Sequence, residues 1–242
     1  MNVNSYDQII DSWSANLLLQ ECMSMENLNC YENYWLYLDD TPKNSVEKYV
    51  QDSFDFYLAK DYPDAVGFEW WFHHFAEDDK MLGFHFDCDE HIRWETRKMV
   101  LPSVSTVTYL KNHMSPTVIT NVSQVGEDEY QFHPRKPTEV VYSVPGEGKF
   151  ITFDSKYLHG VTIGSAGRWT LMYNVWNYVP EKLGRVSYQS SCLPSHFFKC
   201  DKQKPNTYLG ATRCCQINYY DVECSLSYPS KTDLHETWLV NQ

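Results

Sequence analysis

Apolar positions recur at helical spacing in two early segments and at strand spacing through most of the remaining chain. Residues 12–19 place Trp13, Ala15 and Leu17–Leu19 at roughly helical intervals. In 45–58 the apolar positions 46, 49, 50, 54, 57 and 58 follow the helical period closely. Ser45 stands before acidic residues there, which predicts an N-cap. From about residue 66 the pattern shortens. Aromatic runs at 68–72 and 81–86, then β-branched or apolar runs at 103–110, 117–122, 139–144, 149–153 and 168–176, read as strands. Pro116, Pro134, Pro137, the Pro145-Gly146-Glu147-Gly148 turn and the 164–167 segment separate them. Strands at this spacing without intervening helices predict an all-β sandwich or barrel, with the two helices as a buttress on one sheet. Nothing in the pattern splits the 242 residues into two domains. We read one domain with a helical buttress over 1–62, a β core over 63–180, and loops with short elements over 181–242 that wrap the core.

Composition narrows the function classes. Hydrophobic residues at 43% and aromatics at 16% supply a large core. A formal net charge of −12 opposes binding to a phosphate backbone, so no nucleic-acid partner is expected. No apolar run is long enough to span a membrane, and the first residues lack the basic start and apolar run of a secretory signal. These observations predict a cytoplasmic protein without a membrane partner. Eight cysteines (Cys22, Cys30, Cys88, Cys192, Cys200, Cys214, Cys215 and Cys224) show no zinc-knuckle spacing and are read as reduced thiols.

The chemistry-bearing residues lie between 83 and 176. In Gly83-Phe84-His85-Phe86-Asp87 the imidazole and the carboxylate are two positions apart, so on an extended segment they share a face. His159, in Leu158-His159-Gly160-Val161, completes a triangle if the fold lays its strand alongside. Two imidazoles and one carboxylate on one face of an octahedral ion leave three positions free, the ligand set of a non-haem Fe(II) oxygenase. Arg168, nine residues beyond His159, then has the task of holding the far carboxylate of a chelating co-substrate. Asp89, one strand repeat after Asp87, is the rival carboxylate. Asp87 is preferred for its closeness to His85, leaving Asp89 and Glu90 as solvated loop residues or as acceptors that orient a ligand imidazole. His73 and His74 lack the spacing to a carboxylate and, with Trp71, are read as packing or substrate contacts. Alternation along the last strand puts Arg168, Thr170, Met172, Asn174 and Trp176 on one face, which makes Asn174 and Trp176 candidates for the substrate end. Aromatics near this mouth lean toward an apolar or ring-bearing substrate.

The motifs also stand in a recognisable order. Tyr109-Leu110 ends one strand; Gly148-Lys149-Phe150-Ile151-Thr152-Phe153 forms another; Leu158-His159-Gly160-Val161 and Gly167-Arg168-Trp169-Thr170-Leu171 follow. Over about residues 66–180 the chain resembles the 2-oxoglutarate- and Fe(II)-dependent dioxygenases, in the branch that includes the prolyl hydroxylases. The resemblance implies a double-stranded β-helix, a jelly-roll, cupin-like barrel whose inner residues line a pocket at one mouth. It implies His85, Asp87 and His159 as iron ligands, and Arg168 paired with the C5 carboxylate of 2-oxoglutarate. Tyr109 and Thr170 are implied as further donors to that carboxylate. O2 is the oxidant, ascorbate a reductant, and succinate and CO2 the by-products. Hydroxylation is the first expectation; desaturation, epoxidation and ring closure stay open, while Asp87 in place of Ala or Gly speaks against a halogenase. Tyr109 stands 24 positions after His85, a longer excursion than the compact prolyl hydroxylases need. The substrate is therefore left as a small molecule or a protein side chain. The alternative is a β-helix that has lost turnover and serves as a binding or scaffold module. The complete set of His85, Asp87, His159 and Arg168 argues for the enzyme.

Overall fold

In the computed structural model of the chain, residues 1–28, 33–77, 82–128, 130–161 and 165–198 are described, together with a short strand at 206–207. The elements run β1 (Val3–Tyr6), α1 (Ser12–Asn27), β2 (Tyr34–Tyr37), α2 (Ser45–Tyr57), β3 (Gly67–His74), α3 (Glu90–Thr96) and β4 (Val104–Tyr109). They continue with β5 (Thr117–Gln124), β6 (Phe132–His133), β7 (Val140–Ser143), β8 (Phe150–Phe153), β9 (Tyr157–Val161), β10 (Trp169–Trp176) and β11 (Asn206–Thr207). The expected double-stranded β-helix is present as two antiparallel sheets. The larger has the order β11-β1-β8-β4-β10-β3-β2; in the smaller, β5 pairs with β6 and β7 on one side and with β9 on the other.

Both predicted helices form. The cap of α2 is Asn44 rather than Ser45: the Asn44 side chain accepts from Glu47 N at 2.9 Å. Ser45, one residue inside, instead gives its backbone N–H (2.8 Å) and hydroxyl (3.1 Å) to Glu21 and so ties α2 to α1. The first 62 residues also hold two strands. β1 and β2 are only four residues each and lie on opposite flanks of the sheet, β1 between β8 and β11 and β2 paired with β3. The predicted strand over 81–86 shrinks, among the described residues, to one bridge at His85. α3 arises where a loop was read: the Asp89 carboxylate accepts from His91 N and Ile92 N, each at 3.0 Å, and starts the helix.

Alternation on β3, β4 and β10 sorts the core into two layers. Phe68, Trp70, Leu171, Tyr173 and Val175 face α1 and α2 and join Leu18, Met25, Val46, Tyr49 and Phe54. Val107, Ile151, Phe153 and Met172 face the other way and meet Ile119 and Val141 of the smaller sheet. The space between the two sheets is where the candidate chemistry lies. Cys22 and Cys88 are buried and Cys192 is exposed, all three as free thiols; burial pushes the first two thiols well above their usual range. Cys30, Cys200, Cys214, Cys215, Cys224 and most of the 181–242 wrapping segment lie outside the described residues. Among those described, no helix is long and apolar enough to cross a membrane.

Tyr49 Oη and Thr108 Oγ1 are 2.8 Å apart and buried, and they link α2 to β4. Tyr49→Phe leaves the threonine hydroxyl without this partner and is expected to lower stability by about 1–2 kcal/mol. Urea unfolding should show a lower midpoint with an unchanged slope.

Candidate metal centre

The site is assembled by one antiparallel backbone pair. His85 N donates to His159 O at 2.9 Å, and His159 N donates to His85 O at 3.0 Å. Directly opposed residues of such a pair project to the same face, and the two imidazole centroids are 4.5 Å apart. Asp87, two positions on, joins them: its Oδ1 is 3.6 Å from Nε2 of each histidine. Among the described residues these three are the group able to hold a metal ion, with ligand atoms all within 4.8 Å of one another. Neighbouring ligands on one ion, each about 2.1 Å from it at a right angle, are about 3 Å apart, so the arrangement needs little adjustment.

Local contacts aim each ligand. His85 Nδ1 lies 2.8 Å from Gly83 O, and His159 Nδ1 lies 3.0 Å from Tyr157 O. A carbonyl only accepts, so Nδ1 carries the proton and Nε2 presents its lone pair to the centre. Asp87 Oδ2 accepts from Ser105 Oγ at 2.5 Å, leaving Oδ1 toward the imidazoles. Burial alone raises the Asp87 pKa, but the facing imidazoles of His159 and His85 hold it well below the usual carboxylate range. For His85, burial pulls the pKa down while Asp87 and the Gly83 carbonyl raise it, and the net shift is upward. Orientation of the imidazoles thus falls to backbone carbonyls. Asp89 is neither an orienting acceptor nor a solvated loop residue, being 2% exposed and committed to capping α3 and accepting from Tyr178 Oη at 2.8 Å.

Gly160 permits this approach. A Cβ there would stand 3.0 Å from Leu82 O and 3.2 Å from Phe84 Cα and N. The segment carrying His85 lies where a side chain would otherwise be.

One cavity joins the triad to Arg168, Thr117 and His73, with an apolar wall from Trp71, Val107, Phe153 and Met172. Arg168 is 2% exposed. Its guanidinium donates to Thr117 Oγ1 (2.7 Å), Ser115 O (3.3 Å) and Thr170 Oγ1 (3.4 Å), and no carboxylate pairs with it among the described residues. Burial lowers its pKa, with Tyr109 opposing. A buried charge with only neutral acceptors is costly and marks a place for an anion.

The remaining candidate residues take distinct places. Thr170 accepts from Arg168, and Trp71 lines the cavity. Tyr109 is fully buried behind Arg168, its hydroxyl 2.8 Å from Thr117 Oγ1 and 3.0 Å from Ser143 O. Asn174 and Trp176 share the inward face of β10 but do not line this cavity. Trp176 Nε1 donates to Glu69 Oε2 at 3.1 Å, and Asn174 Nδ2 lies 3.5 Å from the same oxygen. His74 is structural, stacked on Trp169 at 4.0 Å with Nδ1 2.9 Å from Glu26. His73 faces the cavity and makes no hydrogen bond among the described residues; burial, then the charges of His85 and Arg168, push its pKa down to about 4. Ser105, Thr117 and Glu69 were not singled out from the sequence. Their only signal was register: each lies on a strand flanking a candidate, on the inward-facing parity.

No protein-family model matches the chain, and no curated protein matches it. Solved structures do. A prolyl-4-hydroxylase from Pseudomonas putida superposes with a TM-score of 0.51 at 14% identity, covering 72% of this chain and 87% of that one. That likeness concerns the fold. EctD from S. alaskensis, solved with 2-oxoglutarate and 5-hydroxyectoine, is more distant in shape, with a TM-score of 0.47 at 15% identity over 84% of this chain and 81% of that one.

Gly160→Ala is expected to push the 82–85 segment away and weaken metal binding about tenfold or more, read by titrating Co(II) or Fe(II) into the metal-free protein. For His73, a folded pKa of about 4 against an unfolded value of 6.5 means that protonation opposes folding. Its contribution to stability is present above pH 6.5 and lost as pH falls toward 4, on the order of 3 kcal/mol. Chemical denaturation of the metal-free protein between pH 7 and 4 should show that loss, reduced in His73→Asn.

Proposed function

We propose that the chain is an Fe(II)- and 2-oxoglutarate-dependent oxygenase that hydroxylates a C–H bond of a small molecule or an amino-acid side chain. The supporting observation is the pairing, in one cavity, of His85, Asp87 and His159 with a buried guanidinium that has no carboxylate partner among the described residues. Two imidazoles and a carboxylate on one side of a cavity suit Fe(II) with positions left open. Arg168 suits the distal carboxylate of 2-oxoglutarate, since its planar fork matches a carboxylate with two parallel hydrogen bonds.

With both bound, iron supplies the oxidising chemistry by which R–H, O2 and 2-oxoglutarate become R–OH, succinate and CO2. The residues of this chain bind, orient and shield. The Gly83 and Tyr157 carbonyls keep both Nε2 atoms free for the metal, and Ser105 fixes the carboxylate by its other oxygen. Arg168, backed by Thr117, Thr170 and Ser115, holds the co-substrate in one orientation, with Tyr109 bracing Thr117 from behind. Trp71, Val107, Phe153 and Met172 exclude water from the reacting centre. A cytoplasmic setting fits the free thiols Cys22, Cys88 and Cys192.

Succinate formation from 2-oxoglutarate, dependent on Fe(II) and raised by a substrate drawn from a metabolite or peptide extract, tests the reading. Asp87→Ala should abolish iron binding and turnover together. Arg168→Ala should weaken 2-oxoglutarate binding about 100-fold while metal affinity stays within a factor of a few, with Arg168→Lys intermediate. Absence of both iron binding and 2-oxoglutarate turnover in the unaltered chain would replace the oxygenase with a binding module on the same fold.

A further inference from the structure

The inner face of the larger sheet orders the site in rows. Across β3, β10 and β4 the pairs run His73–Thr170–Tyr109, then Trp71–Met172–Val107, then Glu69–Asn174–Ser105. Arg168 precedes the first row on β10, and Ser105 of the third row holds Asp87. Arg168 and Asn174 are therefore about 20 Å apart along the strand, with the metal centre toward the Asn174 end. A co-substrate reaching from the metal to Arg168, as proposed above, would lie along the first two rows. The third row, remote from Arg168, is left for the other reactant.

At that end lies a second, open cleft of about 440 Å³, walled in part by Glu69, Asp89, Glu90, Trp94, Glu181 and Lys182. Among the described residues, Lys182 is the only lysine or arginine in the wall, against four carboxylates. Three of those acids already have a local role: Asp89 accepts from Tyr178, Glu90 pairs with Arg93 and Glu181 with His91. Glu69 differs. It is 7% exposed, receives only neutral donors from Asn33 (2.7 Å), Trp176 and Asn174, and has no positively charged partner among the described residues. Beside it, Asn174 is 2% exposed and its Oδ1 has no hydrogen-bond partner among the described residues. Of this pair Glu69 reaches the cleft wall, and a buried carboxylate without an opposite charge matches a cationic N–H donor. Trp94, 76% exposed on the cleft wall, offers a ring face to the same kind of group. The net charge of −12 draws cations toward it.

We infer that the substrate is a cationic molecule whose ammonium or guanidinium group docks in this cleft against Glu69 and Trp94, with Asn174 behind Glu69. Glu69 is two strand spacings from Ser105, roughly 10 Å, so the charged group sits several bonds from the carbon presented at the metal centre. The charge adds a requirement to the apolar or ring-bearing substrate expected from the aromatics alone.

This assignment rests on the oxygenase reading, and the test separates the two. Protein loaded with redox-inert Zn(II) is first titrated calorimetrically with 2-oxoglutarate, then with n-butylammonium and n-butylguanidinium and with their uncharged counterparts n-butanol and n-butylurea. The cations should bind at least tenfold more tightly than the neutral probes and quench tryptophan fluorescence. Glu69→Gln should erase that preference while leaving 2-oxoglutarate affinity unchanged, and Trp94→Ala should reduce it several-fold. Should Glu69→Gln fail to fold, the exposed Trp94→Ala variant carries the comparison. Equal binding of charged and neutral probes, or a preference that survives both substitutions, overturns the cationic substrate and leaves the oxygenase standing. Failure of 2-oxoglutarate itself to bind overturns the oxygenase reading.

Discussion

Everything at the centre depends on His85 and His159 exchanging backbone hydrogen bonds as directly opposed residues. Strand side chains alternate faces, so a slip of one position in that pairing would send one imidazole outward and leave Asp87 with a single partner. Two features keep the register. Gly160 gives the incoming segment room that any side chain would deny, and Val161 N donates to Leu82 O at 2.9 Å to extend the contact beyond one bridge. Asp87 is restrained from the other side of the cavity by Ser105, which also lies 2.8 Å from Ser155. Both sheets therefore hold the same three side chains.

The second constraint is electrostatic. A guanidinium and a carboxylate, each buried and each without an opposite charge among the described residues, stand toward opposite ends of one sheet face, Arg168 just before β10 and Glu69 on β3. Placed side by side they would satisfy one another; set apart, neither is neutralised by another described residue. The fold accepts this cost because the surrounding aromatic and aliphatic packing is extensive, with Trp70, Trp176, Tyr109 and Tyr173 fully buried. Burial also leaves its mark on Glu69, whose pKa is pushed up to about 7 with the Asp87 charge contributing.

What the sequence disclosed follows the strength of each physical signal. Long periodic segments were legible: α2, β4, β5 and β10 fall where the spacing puts them. The His85, Asp87 and His159 constellation was legible because the two-residue spacing states a shared face outright, and Arg168 because a charge in an aromatic strand demands a reason. β1 and β2 were not, since four residues in a sheet draw their stability from neighbours distant in the chain rather than from their own pattern. α3 is short and its cap, Asp89, is of the same residue type as a metal-ligating carboxylate, while Asn44 and Ser45 are adjacent residues that both cap well, so pattern alone does not separate them. Ser105, Thr117, Glu69 and His73 carry no spacing signal; only the cross-strand register brings them to the site.

The way the two imidazoles are aimed has a bearing on how such a scaffold diversifies. Each ring is steered by the carbonyl two residues behind it in its own segment, at Gly83 and at Tyr157. Among the described residues, none of α3, of the cleft wall or of the N-terminal helices takes part in this aiming. The aiming of the two imidazoles is in that sense self-contained, and the surrounding loops can change without re-aiming either ring.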